Sequence, residues 1–159
     1  MKNTAAMISA AVLAFGVPCG GAAAGDSYMV VAHAKAIDGG SFADRSGNRY
    51  RLHAVETPEL GQQCQGANGD DYACGEEARK ALEDLIGGIM TCNPVEAGMQ
   101  ELRIVRCYDF AGRDIGARLI ATGWALPDRS TGVAMDYVWG EMEAEARSLG
   151  LWQGRFVLR

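Results

Sequence analysis

Apolar and polar positions alternate through the first third of the chain beyond residue 27, then switch to a helical period. Tyr28 to Ile37 is apolar and partly alternating, which predicts a strand ending at Asp38-Gly39-Gly40. Ser41 to Ala43 and Arg49 to Val55 predict two more strands around the polar turn Asp44-Arg45-Ser46-Gly47-Asn48, so the three make a meander. From Gly75 to Ile86 the residues Ala78, Ala81, Leu82 and Leu85 recur on one helical face. Glu76 and Glu77 suit the positive end of that helix, and Gly87-Gly88 stops it. Ile89 to Cys92 and Leu102 to Tyr108 predict further strands joined by a loop containing Pro94 and Gly98. Asp114 is the expected cap of a short helix running to Thr122 and ended by Gly123. A last helix is expected over Met135 to Leu149. Its buried face would carry Met135, Val138, Met142, Ala146 and Leu149, with Glu141, Glu145 and Arg147 in water. Trp152 and Phe156 would then pin the tail. Five short strands with three helices predict a mainly β, α+β fold: a five-stranded OB-type barrel with helical decoration.

Residues 1–24 follow another pattern. Lys2 gives a positive start, Ala5 to Val17 is a short apolar run, and Ala22-Ala23-Ala24 supplies small residues for cleavage. This is the pattern of a signal peptide, with residues 25–159 as a single domain. The apolar run is too short to span a bilayer, and Pro18 before Cys19 suits a lipidation site badly. A secreted or periplasmic location is expected, with no stable membrane insertion after cleavage. About 135 residues remain, enough for one core.

Cys64, Cys74, Cys92 and Cys107 are an even set, which in an exported chain predicts two disulfides with three possible connectivities. Local pairing is the simplest of these. There is no CxxC pair and neither histidine lies near a cysteine at ligand spacing, so the set does not read as a zinc site. The formal net charge is −5, and loss of Lys2 with the leader makes the remaining chain more acidic. That argues against indiscriminate binding to nucleic acid, while a local basic cleft stays compatible with it.

The segment Arg51-Leu52-His53-Ala54-Val55-Glu56-Thr57-Pro58-Glu59 brings a cation, a candidate metal ligand and a candidate base to the end of one strand. Asp38-Gly39-Gly40-Ser41 precedes it, and Gly123-Trp124-Ala125 and Gly150-Leu151-Trp152 follow. Together these resemble the thermonuclease (staphylococcal nuclease-like) family. Its members carry an Asp-Gly-Asp-Thr turn, an Arg-Leu-x-x-[Ile/Val]-Asp-x-Pro-Glu segment, an Asp-Arg-Tyr-Gly-Arg turn, and Gly-Trp-Ala and Gly-Leu-Trp elements. The resemblance covers nearly all of residues 25–159. It implies an OB-type barrel, the pairs Cys64–Cys74 and Cys92–Cys107, and calcium-dependent hydrolysis of phosphodiesters in DNA or RNA. In such a site a calcium ion held by carboxylates binds the scissile phosphate, a glutamate positions water, and two arginines offset the developing charge. The phosphoryl centre repels its nucleophile, so catalysis is mostly positioning and preorganised positive charge.

The resemblance makes Arg51 the first arginine, Glu59 the glutamate, and Asp38 and Glu56 the metal-side carboxylates. Two departures stand against it. Gly40 occupies the place of a second calcium-binding aspartate, and Glu56 is one methylene longer than the usual ligand. Calcium takes about six to eight oxygens, so a Ca2+ site here is expected to be weak or absent. The second arginine is displaced as well. A register anchored on Cys92, Cys107 and the run from Asp114 to Ala125 puts Leu102 in its position. Arg103 is adjacent but faces the other side of a strand. Arg113, in Asp109-Phe110-Ala111-Gly112-Arg113, imitates the turn at the expense of a strand. Losing one preorganised donor costs about 3–4 kcal/mol of transition-state stabilisation, so weak nuclease activity or none is expected. The alternative is a non-catalytic OB-fold module binding an oligonucleotide, a glycan or a protein. His33 and His53 lack a serine or cysteine partner and read as packing or surface residues. Trp124, Trp139 and Trp152 read as core rather than as a base-stacking platform.

Overall fold

The computed structural model describes residues 28–96, 102–132 and 135–158. The expected signal segment and the turn position at Gly98-Met99-Gln100-Glu101 lie outside the described residues. Strands β1 (Met29–Ala32), β2 (Lys35–Ala36), β3 (Ser41–Ala43), β4 (Arg49–Leu52), β5 (Val55–Glu56), β6 (Cys64–Gly66) and β7 (Asp71–Tyr72) precede helix α1 (Cys74–Ile86). After it come β8 (Ile89–Glu96), β9 (Leu102–Asp109), α2 (Ile115–Ala121), β10 (Leu126–Pro127), α3 (Met135–Ala146) and β11 (Gly154–Arg155).

The mixed α+β, mainly β architecture expected from the sequence is present, but the first strand is two. The break falls at His33, whose φ of 54° is left-handed and interrupts a continuous strand. It frees the halves for different partners: β1 pairs antiparallel with β8, and β2 with β3. β4 follows β3 antiparallel and lies parallel to β9, which returns antiparallel to β8. The sheet order β1-β8-β9-β4-β3-β2 thus starts and ends in the two halves of one bent segment. The sheet curls into a barrel-like shape as a result. Read by chain segment, its six strands reduce to the expected five.

Two other boundaries moved for local reasons. Ala54 takes φ 58°, which ends β4 at Leu52 and sends β5 away to pair with β10. Pro94, expected in a loop, sits inside β8 where the register against β9 shifts, and a bulge of this kind tolerates a residue without an N–H.

Helix α1 buries Ala78, Leu82 and Ile86, close to the expected stripe. Asp114 caps α2 by accepting a hydrogen bond from the Ala117 N–H at 2.9 Å. Helix α3 is rotated away from its expected face. It buries Tyr137, Glu141 and Ala144, while Met135, Trp139 and Met142 are exposed. Polar anchors fix that rotation: the Tyr137 hydroxyl donates to Asp114, and Glu141 pairs with Arg129. Trp139 is therefore surface and not core, at 61% exposure.

The main core lies inside the barrel, with Phe42, Leu82, Val105, Ile115 and Leu119 among its buried members. A second cluster forms around Cys64, Cys74 and Leu151, with Tyr72, Trp124 and Phe156 packed against it. Trp152 meets Phe156 edge to face at 5.3 Å between ring centres. Both disulfides, Cys64–Cys74 and Cys92–Cys107, are formed, which fits an oxidising environment. Among the described residues no helix is long and apolar enough to cross a membrane.

Candidate functional site

Alternation along β4 places Arg51 opposite Ser41 on β3, and its Nη1 donates to the Ser41 Oγ at 3.4 Å. The turn before Ser41 is closed by Asp38. Its Oδ1 accepts from the N–H groups of Gly40 at 2.8 Å and Ser41 at 2.7 Å. Thr57 packs across this turn. A Cβ on Gly39 would lie 2.9 Å from the Cβ atoms of both Ala78 and Thr57, so close approach requires glycine there. Gly40 is different: a Cβ would find its nearest neighbour, Thr57 Oγ1, at 3.4 Å. Packing alone does not demand a glycine at position 40.

Beyond Arg51 the chain bends at Ala54, and a cleft of about 450 Å³ opens. Its polar lining is Arg51, His53, Glu56, Thr57, Asp128 and Thr131, with Ile104 among its apolar residues. Glu56 is exposed at the rim, where β5 meets β10. Asp128 arrives from the turn after β10. Its N–H donates to the Ala54 carbonyl at 3.0 Å, and its Oδ1 accepts from the Ser130 N–H at 2.9 Å and from the Ser130 hydroxyl at 2.6 Å. The Ser130 hydrogen bonds hold the Asp128 carboxyl below the usual carboxylate range, and the nearby His53 and Arg51 lower it further.

Arg51 and Glu56 line one cleft, and Asp38, Glu59, Leu102, Arg103 and Arg113 are not among its lining residues. Pro58 is fully buried, and Glu59 beside it is exposed and does not line the cleft. The Glu59 carbonyl accepts from the Gln62 N–H at 2.8 Å and lies so close to Gly75 that no Cβ would fit there. The backbone at Glu59 is thereby clamped to the start of α1. Leu102 pairs with Arg49, and alternation puts it on the same face of β9 as Ile104. The Arg103 guanidinium sits 5.9 Å from the Tyr50 ring centre. Arg113 is paired with Asp109 at 2.8 Å, and Arg118 reaches the same carboxylate at 3.0 Å. Among the described residues lining the cleft, Arg51 is the one arginine.

Calcium would need the carboxylates of Asp38 and Glu56 to converge. Asp38 Oδ1 is committed to two backbone donors, and Gly40 supplies nothing. Among the described residues no group of three or more His, Cys, Asp or Glu side chains is placed to hold a metal ion.

His53, Thr57, Asp128 and Thr131 join the cleft without having been singled out as site residues. Asp128-Arg129-Ser130 has the spacing of an aspartate turn, a signal visible in the sequence. What brings it to Arg51 is the two-residue pairing of β5 with β10, which leaves no periodicity to read.

No family model matches the chain. It is similar to the succinoglycan biosynthesis protein ExoI of Rhizobium meliloti (strain 1021), with 30% identity over 134 residues that span 83% of this chain and 69% of that protein.

Proposed function

The chain belongs to the same family as the succinoglycan biosynthesis protein ExoI, and from that premise we propose that it is an exported, thermonuclease-like barrel domain whose phosphodiester-hydrolysing site is depleted, with weak nuclease activity or none. The observation that carries this reading is the charge of the Arg51 cleft. One guanidinium faces two carboxylates, Glu56 and Asp128. A phosphodiester brings its own negative charge and gains more in the transition state, so it needs an excess of preorganised cations. Arg51 alone would orient a phosphate oxygen.

The test is cleavage of single-stranded DNA by the purified protein, with millimolar calcium and then with chelator. Cleavage should be at background or far slower than by a complete thermonuclease. Gly40→Asp combined with Leu102→Arg should raise the rate at least about tenfold, since each restores a charge of the kind worth 10²–10³ in rate. Robust chelator-sensitive cleavage by the unaltered protein sinks the proposal.

A second reading is a non-catalytic module that binds a glycan. The relative's role in succinoglycan biosynthesis favours it, and so does a cleft lined by carboxylate, hydroxyl and guanidinium groups, all of which hydrogen-bond to sugar hydroxyls.

A further inference from the structure

We propose that Asp128 sets the ligand class of the Arg51 cleft, turning it away from phosphodiesters and toward neutral, hydroxyl-rich saccharide units. This rests on the reading of the cleft as a binding surface and adds a residue and a chemical selectivity to it.

Asp128 is held in place before any ligand arrives. Its backbone N–H is tied to Ala54, and both Ser130 donors converge on Oδ1. Oδ2 makes no hydrogen bond among the described residues, so it keeps its accepting capacity. Such preorganisation lowers the ordering cost when a donor binds. Glu56 offers a second carboxylate at the rim, and Thr57 and Thr131 line the same space. Among the described residues the Arg51 guanidinium that faces them is held by the 3.4 Å contact to Ser41 alone. Carboxylates accept from hydroxyls and the guanidinium donates to hydroxyl or ring oxygens, so a neutral polyol can satisfy both signs at once. A phosphodiester has acceptors alone on its charged group. It would pair with Arg51 while facing Asp128 and Glu56 without a proton to offer, and repulsion of that kind is how a site rejects the wrong partner.

The inference is tested by binding, not cleavage. The full chain and its Asp128→Asn and Glu56→Gln variants are titrated calorimetrically with neutral glucose tetrasaccharides, α- and β-linked, and separately with oligothymidylate, in chelator and at fixed salt. Asparagine keeps an oxygen for the Ser130 donors, so Asp128→Asn should fold; its thermal transition is recorded as a check. The unaltered protein should prefer a tetrasaccharide to oligothymidylate. Asp128→Asn should weaken saccharide binding about tenfold and strengthen oligothymidylate binding by a similar factor, while Glu56→Gln, exposed at the rim, should shift both less. The inference is overturned if no tetrasaccharide binds, if oligothymidylate is the tighter ligand of the unaltered protein, or if folded Asp128→Asn changes neither affinity. Nuclease activity in the earlier assay would remove the depleted-site reading. Unchanged selectivity in Asp128→Asn removes only this one.

Discussion

The charged groups around Asp114 and those around Arg51 are fixed by neighbouring strands, yet they are treated in opposite ways. Asp114 has a side chain only 8% exposed, and it accepts from Arg106 Nε at 2.6 Å, from the Tyr137 hydroxyl at 3.0 Å and from the Ala117 N–H at 2.9 Å. The Arg106 guanidinium also lies 5.4 Å from the Tyr137 ring centre. One carboxylate therefore ties β9, α2 and α3 together. In the Arg51 cleft the same chemistry is left open. Arg51 has one long contact, and the side chains of Glu56 and His53 make no hydrogen bond among the described residues. Satisfied charge marks the joint that holds the helices to the barrel, and the open charge of Arg51 and Glu56 lines the cleft.

The strongest way to break this contrast is Asp114→Ala. It removes a helix cap and leaves the Arg106 guanidinium and the Tyr137 hydroxyl without their acceptor. The expected cost is about 3–4 kcal/mol, below the upper end for a buried pair because Arg106 is partly solvated. Glu56→Gln should stay within about 0.5 kcal/mol, as for most exposed substitutions. Urea unfolding of both variants gives the comparison directly, and equal costs would erase the distinction between joint and cleft.

Next in size is removal of the Cys92–Cys107 disulfide by paired alanine substitution. The bridge spans 15 residues of sequence, for which chain entropy suggests about 3 kcal/mol. Cys107 lies on β9 next to Arg106 of the hub and three residues after Ile104 of the cleft. The loss should therefore appear as one cooperative transition at lower denaturant and not as local melting of the cleft.

Smaller effects should separate the two regions by pH. Burial and the Asp114 charge raise the Tyr137 phenol above its ordinary value. A raised pKa means the folded chain holds that proton more tightly than the unfolded one. The joint's contribution is present below about pH 10 and is lost as pH rises beyond it. Asp128 is lowered, so its contribution is present above about pH 4 and is lost as pH falls through the folded value. Tyr137→Phe should flatten the alkaline limb of stability against pH, and Asp128→Asn the acid limb. Either substitution acting on the opposite limb would contradict the assignment.

Much of the fold was legible because its signals are local. Alternation located β3 and β4, the α1 stripe followed a 3.6 period, and Asp114 is a cap of ordinary type. The failures share a physical cause. The face that α3 buries is chosen by Glu141 and Tyr137 reaching partners more than ten residues away, so its apolar stripe gave the wrong side. His33 and Ala54 take left-handed φ values that neither residue type announces. At the site, Arg51 and Glu56 could be placed from one motif, whereas Asp128 enters through a strand pairing of two residues. The close contact of the Glu59 backbone with Gly75, which ties it to the start of α1, is a steric fact that follows from packing and not from spacing.

The central claim is that the cleft lacks the positive charge a phosphodiester requires, and the most direct measurement is fluorescence anisotropy of labelled single-stranded DNA titrated with the unaltered protein over a range of salt. At about 0.1 M salt no saturable binding is expected at micromolar protein, with little gain on dilution of the salt, because few counterions are displaced. Tight binding that falls steeply as salt is added would show a basic, phosphate-reading surface and contradict the account.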